Sequence, residues 1–245
     1  MITVTVLTKN SSQTLSKTLN ALKAFDEVLI LDTGSTDNTL EIARQYPNVT
    51  IHTSAFIGFG PAHNLASSLA KHEWILSIDS DEVLSDSLIE EILSLKLNKN
   101  YVYSIGRHNF FNGKHIKWCG GWHPDRVVRL YNREETSFND AMVHEKILIN
   151  ELNVVCLKAP LFHTPYREIG DFLNKMQIYT TLFAKQNEEK KKGSLLKAIL
   201  HSWFAFFKSY ILKRGFLGGK EGFIISAYNA HTAFYKYLKL IKIQD

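Results

Sequence analysis

Short runs of apolar and β-branched residues at 3–7, 28–31, 49–52 and 74–78 alternate with stretches at 13–23, 38–45, 62–71 and 88–95 that read as helices. Strands buried on both faces of a parallel sheet read as continuous Val/Ile/Leu runs, and strand-helix repetition implies right-handed βαβ units. The first hundred residues therefore predict a nucleotide-binding half. Over 101–162 the pattern changes to aromatic and β-branched segments separated by Asn112-Gly113, Gly120-Gly121 and Asn139-Asp140, which predicts a mixed sheet with a second substrate site. Beyond Pro160 and Pro165 the chain turns helical at 168–185, and Glu188-Glu189-Lys190-Lys191-Lys192-Gly193 reads as a linker. From 194 to 212, Leu196, Ile199, Leu200, Trp203, Phe207, Tyr210 and Ile211 share a helical face, interrupted by Lys197, Ser202, Lys208 and Ser209. A membrane-spanning helix needs about 20 predominantly apolar residues, and two interior lysines are too costly there. An amphipathic helix rich in Trp, Phe and Lys lies instead in a bilayer interface, unless its aromatic face packs on the body. The expected fold is α/β, with a body at 1–187 and a helical, membrane-surface-associating extension at 188–245.

Charge sharpens this division. Residues 190–245 hold eleven Lys/Arg and two acidic residues, whereas the rest holds 18 basic and 22 acidic, so a mildly acidic body carries a basic tail. Such a tail suits an anionic membrane surface or nucleic acid. At 45% hydrophobic and 22% charged, a chain of 245 residues is ordinary globular protein with a sizeable core. Cys119 and Cys156 are too few for a disulfide framework and fit a reducing compartment, which makes the Asn48-Val49-Thr50 sequon incidental. Met1 leads straight into a strand-like segment, so no signal peptide is expected. The expected location is cytoplasmic, peripheral on the inner face of the membrane.

The candidate chemistry sits at strand ends. The run Ile75-Leu76-Ser77-Ile78 stops in Asp79-Ser80-Asp81-Glu82, three carboxylates within four residues, where ligands of open α/β sheets bind. Hard oxygen donors there suit Mg2+ or Mn2+ holding a diphosphate, and an acidic turn before a helix is the alternative. Asp32, at the tip of another strand, can accept hydrogen bonds from a base or ribose. Gly34 allows the turn that follows, and Asn38 with Glu41 has capping-box spacing. Neither Gly-x-Gly-x-x-Gly nor a P-loop occurs, which argues against dinucleotide dehydrogenases and P-loop NTPases. His115, Cys119 and His123 are equally spaced but lack a fourth partner for zinc.

Leu7-Thr8-Lys9-Asn10, the Asp32 to Thr39 segment, Gly58-Phe59-Gly60 with Asn64, and Asp79-Ser80-Asp81-Glu82 follow one another in an order and spacing that resemble family 2 glycosyltransferases of GT-A fold. More narrowly, the chain is similar to bacterial lipopolysaccharide or lipooligosaccharide core glucosyltransferases. The likeness extends through Arg129-Leu130-Tyr131, Val143-His144-Glu145 and the Gly215 to Phe223 tail. It implies a Rossmann-like nucleotide-binding half, a mixed-sheet acceptor half and an inverting transfer. By resemblance, Asp32 contacts uracil, Asp79 the ribose, Asp81 the metal, and the Thr8-Lys9-Asn10 loop wraps the nucleotide. Asn64 belongs to the Gly-Phe-Gly motif, and His63 stands where Arg or Lys is usual, which puts a fixed charge near the donor in doubt. Glu145 is the expected base and Asp125 the alternative. His163 is a candidate third metal ligand or pyrophosphate contact. Only one of Arg126 and Arg129 needs to face the site, and Trp118 with Trp122 would form a platform for an acceptor sugar.

The resulting expectation is a metal-dependent hexosyltransferase with a UDP-hexose donor, most simply UDP-glucose, and a lipid-linked oligosaccharide acceptor at an anionic membrane, with no nucleic-acid partner. The rivals are a sugar-nucleotidyltransferase, a nonenzymatic nucleic-acid binder acting through the tail, and a silent nucleotide-sugar binder.

Overall fold

The computed structural model describes residues 1–166 and 168–244, with side chains through Ile241. Strands β1 (Ile2–Thr8), β2 (Glu27–Asp32), β3 (Val49–Thr53) and β4 (Trp74–Asp79) pair in parallel in the order β3-β2-β1-β4. Helices α1 (Leu15–Ala21), α2 (Thr39–Ala43) and α3 (Phe59–Leu69) connect them. Val28 and Ile30 of β2 join a core with Val4, Val6, Leu15, Leu19, Leu76 and Leu88, whereas Leu29 and Leu31 pack on Ala62 and Ala66 of α3. Alternate residues of β2 thus enter cores on opposite sides, which is why its sequence is apolar throughout.

Beyond β4 the sheet becomes mixed. A short β5 (Glu82–Leu84) and α4 (Asp86–Ser94) lead to β6 (Tyr101–Phe111), β7 (Lys114–His115), β8 (Arg126–Asn132) and β9 (Asn153–His163), and the order continues β4-β8-β6-β9-β5. β8 runs antiparallel to both β4 and β6, and β5 antiparallel to β9. The strand order turns back on itself between β1 and β4, the switch point at which α/β sheets form a ligand crevice. This is the α/β arrangement expected from the alternation over the first hundred residues and the change of pattern after 101.

By packing, the chain divides into two compact units, one comprising 1–107 with 126–163 and the other 108–125 with the residues from 164 onward. The expected division at 187 follows sequence character, whereas α5 (Ile169–Asn187) and the 108–125 excursion pack with the tail. The reason is aromatic: Phe111, Ile116, Cys119, Trp122, Phe172 and Ile225 form one buried cluster. Trp122 is 5% exposed, so its expected role as a sugar platform is corrected to that of a core residue. The second unit is completed by α6 (Leu195–Phe207), a π-helical turn at Lys208–Leu212, a 3-10 turn at Gly215–Gly218 and α7 (Gly219–Gln244). Gly222 allows that turn to close on α7, because a Cβ there would lie 1.9 Å from the Gly215 carbonyl oxygen.

Candidate functional site

The loops at the carboxyl ends of β1 and β2 are stitched together. Asp32 is buried, and its carboxylate accepts from the Gly34 and Ser35 amides at 3.0 and 2.9 Å and from the Thr8 and Ser35 hydroxyls at 3.0 and 2.5 Å. Burial opposes its charge, but these four donors outweigh burial and hold its pKa below the ordinary value. Asn10, at φ 51°, accepts the Thr36 amide at 2.8 Å while its own amide donates to Ser35 Oγ at 2.8 Å. Ser11 Oγ lies 2.8 Å from Ser80 Oγ, tying both loops to the end of β4. Thr8, Asn10 and Asp32 therefore shape this loop edge, and Lys9 is exposed at its tip.

At the end of β4 the three carboxylates have separate surroundings. Asp79 accepts from Arg129 Nη2 at 2.5 Å and lies 4.0 Å from Arg107 Nη1. Burial disfavours its charge, but Arg129, reinforced by Arg107, keeps its pKa well below the usual carboxylate range. Glu82 is fully buried: Oε1 accepts from Arg129 at 2.7 Å and Arg107 at 3.0 Å, and Oε2 accepts the Asp79 amide at 3.0 Å. For Glu82 the alternative of a plain acidic turn before a helix does not hold, since it anchors both arginines beneath Asp79. Asp81 is partly exposed, with its Oδ1 3.6 Å from His163 Nε2, because Glu82 pairs with His163 across β5 and β9. Of the two arginines on β8, Arg129 meets the acidic cluster, whereas Arg126 donates to the Ser104 and Leu157 carbonyls.

Glu145 projects from the hairpin around the Phe138–Ile147 bridge. Its pKa is raised, first by burial and then by the nearby charge of Asp79, with Arg129 and Arg107 acting in the opposite direction. The Gly-Phe-Gly motif supports this hairpin. The Phe59 and Gly60 amides donate to the Met142 and Ala141 carbonyls, and Asn64 bonds the Phe138 backbone from both ends of its amide, at 2.8 and 2.9 Å. Gly60 is required there, since a Cβ would meet Asn139 O at 1.9 Å. His63 is buried, within 3.1 Å of Ser77 Oγ and stacked on Phe138; burial lowers its pKa to about 4 and keeps it neutral. In the second unit, Asp125 accepts from Asn109 Nδ2 at 2.9 Å, and the Cys119 thiol faces the Gly222 carbonyl.

Arg107 escaped the sequence reading. Its signal is period two: Tyr103 and Ile105 on the same face of β6 are buried, and an arginine continuing that face needs a carboxylate partner. Among the described residues no three His, Cys, Asp or Glu side chains form a ready metal cage. Asp81 with His163 nevertheless offers one oxygen and one nitrogen donor, a set that suits a cation completing its shell with diphosphate and water.

Comparison with known proteins bears on these motifs together. The chain is 26% identical over 264 residues to the uncharacterized glycosyltransferase RP128 of Rickettsia prowazekii (strain Madrid E), covering 100% of this chain and 87% of that protein. It is 24% identical to the lipopolysaccharide core biosynthesis glycosyltransferase LpsC of Rhizobium meliloti (strain 1021), over 96% and 90% of the two chains. The crystal structure of S. aureus TarS 1–349 in complex with UDP-GlcNAc aligns over 98% of this chain and 90% of that one, at 15% identity and a TM-score of 0.49. The model of glycosyl transferase family 2 matches residues 3–151, which take in Asp32, Asp79, Asp81 and Glu145, and the chain belongs to that family of glycosyltransferases.

Proposed function

We propose that the chain transfers a hexosyl group, with glucose from UDP-glucose the first candidate, to a core sugar of a lipopolysaccharide or lipooligosaccharide acceptor anchored in the membrane. The observation that carries this reading is the grouping of Glu145, its pKa raised, with the Asp79–Arg129–Arg107 cluster in one compact unit, beside strand ends suited to a nucleotide. The naming of LpsC as a lipopolysaccharide core enzyme supports the acceptor class.

In this reading Asp32 and the Thr8-Lys9-Asn10 loop receive the uridine, and Asp79, oriented by Arg129, accepts hydrogen bonds from the ribose. Asp81 and His163 would hold Mg2+ or Mn2+, which when bound would neutralise charge on the diphosphate. Glu145 takes the proton of the acceptor hydroxyl as that oxygen attacks the anomeric carbon. The bond between that carbon and the diphosphate oxygen breaks, UDP departs with the electron pair, and the configuration inverts. A carboxylate whose pKa is raised is better matched to this proton transfer than an ordinary surface glutamate. Asp125 is retained as the alternative base or as a group orienting the acceptor. The enzyme works at the cytoplasmic leaflet.

The test is a donor screen scored by UDP release, with delipidated core oligosaccharides as acceptors. Release from a UDP-hexose that depends on acceptor is the expected result. Pyrophosphate release instead would favour nucleotidyl transfer, and no release from any UDP-sugar would overturn the reading.

A further inference from the structure

Helix α6 is built inside out. Its small and hydroxyl-bearing residues Ala198, Ser202 and Ala205, with Ser209 in the π-helical turn that continues it, are buried or half-buried, spaced at three and four residues along one stripe. Ser209 Oγ receives hydrogen bonds from Ser226 Oγ at 3.0 Å and Asn229 Nδ2 at 3.1 Å, so this stripe faces α7. The large apolar residues point away. Leu196, Leu200, Trp203 and Phe204 are each more than half exposed, Trp203 at 76%. The alternative reading, in which this aromatic face is covered by the rest of the chain, is not met by these side chains. The exposed surface continues through the next turns, where Ile211, Leu212, Phe216, Leu217 and Phe223 are also exposed and ring contacts link Tyr210 to Phe216 and Phe223. A monomer rarely exposes a contiguous apolar patch of more than a few hundred Å2 without a partner for it.

Charge identifies the partner. Lys197, His201 and Lys208 border the apolar arc of α6, and Lys213, Arg214 and Lys220 lie in and just beyond the turns that follow. Among the described residues from 190 onward the sole acidic side chain is Glu221, which is buried and paired with Lys114. A second copy laid on this face would bring two lysine borders together. An anionic bilayer instead takes the Trp and Phe rings at its headgroup boundary and the lysines among its phosphates. Among the described residues no helix is long and apolar enough to cross a membrane, so the contact is with the surface.

We infer that α6 and the turns after it form the face that inserts into an anionic membrane interface, with Leu196, Leu200, Trp203, Phe204 and Phe207 entering the lipid. This deepens the lipid-linked reading above and rests on it for the purpose of the contact. The test is co-sedimentation of the full chain with vesicles of phosphatidylethanolamine and phosphatidylglycerol, against phosphatidylcholine alone, alongside UDP release with a delipidated acceptor. Binding to the anionic vesicles is expected, falling at least tenfold in Trp203→Ser/Phe207→Ser and in Lys197→Glu/Lys208→Glu, with UDP release unchanged in both. Both pairs lie on the exposed surface, and circular dichroism would verify their helices. Absence of vesicle binding at low salt, binding unchanged by either pair, or dimerisation abolished by Trp203→Ser/Phe207→Ser without vesicle binding would overturn the inference. Vesicle binding without UDP release would overturn the glycosyl-transfer reading and leave this one standing.

Discussion

Gly60→Ala is the substitution that most directly tests whether the Gly-Phe-Gly motif serves the base. The added Cβ would lie 1.9 Å from Asn139 O and 3.0 Å from Asn139 C, both backbone atoms of the hairpin that carries Glu145. Carbon and carbonyl oxygen do not approach within about 3 Å, so the hairpin must retreat by roughly 1 Å, and a shift of that size at a reacting group costs about 100-fold in rate. Overpacking of this kind destabilises by about 2 kcal/mol, or roughly 4–8 °C in Tm. The expected result is thus a folded enzyme whose kcat for UDP release falls about two orders of magnitude while KM for the UDP-sugar changes little. Gly170→Ala is the control: among the described residues its Cβ meets the flexible Glu168 side chain, nearest at 3.4 Å, and the change should leave kcat alone. A Gly60→Ala enzyme with near-normal kcat would refute the link between motif and base. A loss confined to KM would return the motif to the donor, the role implied by family resemblance.

Further outcomes follow from the site's electrostatics. Because the Glu145 pKa is raised and the base must be ionised, kcat/KM should decline with falling pH at a point above the ordinary glutamate value; Glu145→Gln should lower kcat by about 10²–10⁴-fold and abolish that limb, and Asp125→Asn should preserve it. Asp81→Asn should remove the tightening of UDP binding by Mn2+ measured calorimetrically in a chelator-treated sample, with His163→Gln weakening it. His63 titrates near 4 in the folded chain against about 6.5 unfolded, so the unfolded state gains a proton first as the solution is acidified. Stability should fall by about 3 kcal/mol between pH 6.5 and 4, and urea denaturation of His63→Gln should show that slope flattened.

The parallel half was legible because its strands are buried on both faces and leave long apolar runs, and β1 to β4 lie within a residue or two of their expected limits. The acidic strand ends were visible for the same reason, since each run stops abruptly in Asp32 or Asp79. Less visible was what the side chains do once long-range pairing has occurred. Glu82 reads as a turn residue until β8 and β6 bring Arg129 and Arg107 to it, and Asn64 reads as a ligand contact until the Phe138 backbone claims both ends of its amide. Trp122 failed as a surface residue because its partner Phe172 lies fifty positions away in the chain, beyond the reach of any local pattern. In α6 the helical face was correctly drawn, but amphipathicity alone does not say which side turns inward, and Ser209 bonding to Ser226 and Asn229 decides it.

The Glu82 anchor bears on how such a chain can be divided. Its carboxylate comes from the strand following β4, while the guanidiniums that neutralise it come from β6 and β8. A fragment ending near residue 100 would keep the acid and lose both bases together with β6, β8 and β9, the strands among which it is placed. The nucleotide-binding half is therefore not a module that can be excised or grafted by itself. Chimeras between relatives should exchange β4 to β8 as one block, and a crossover placed between Glu82 and Arg107 has to carry a matched carboxylate-arginine set across the junction.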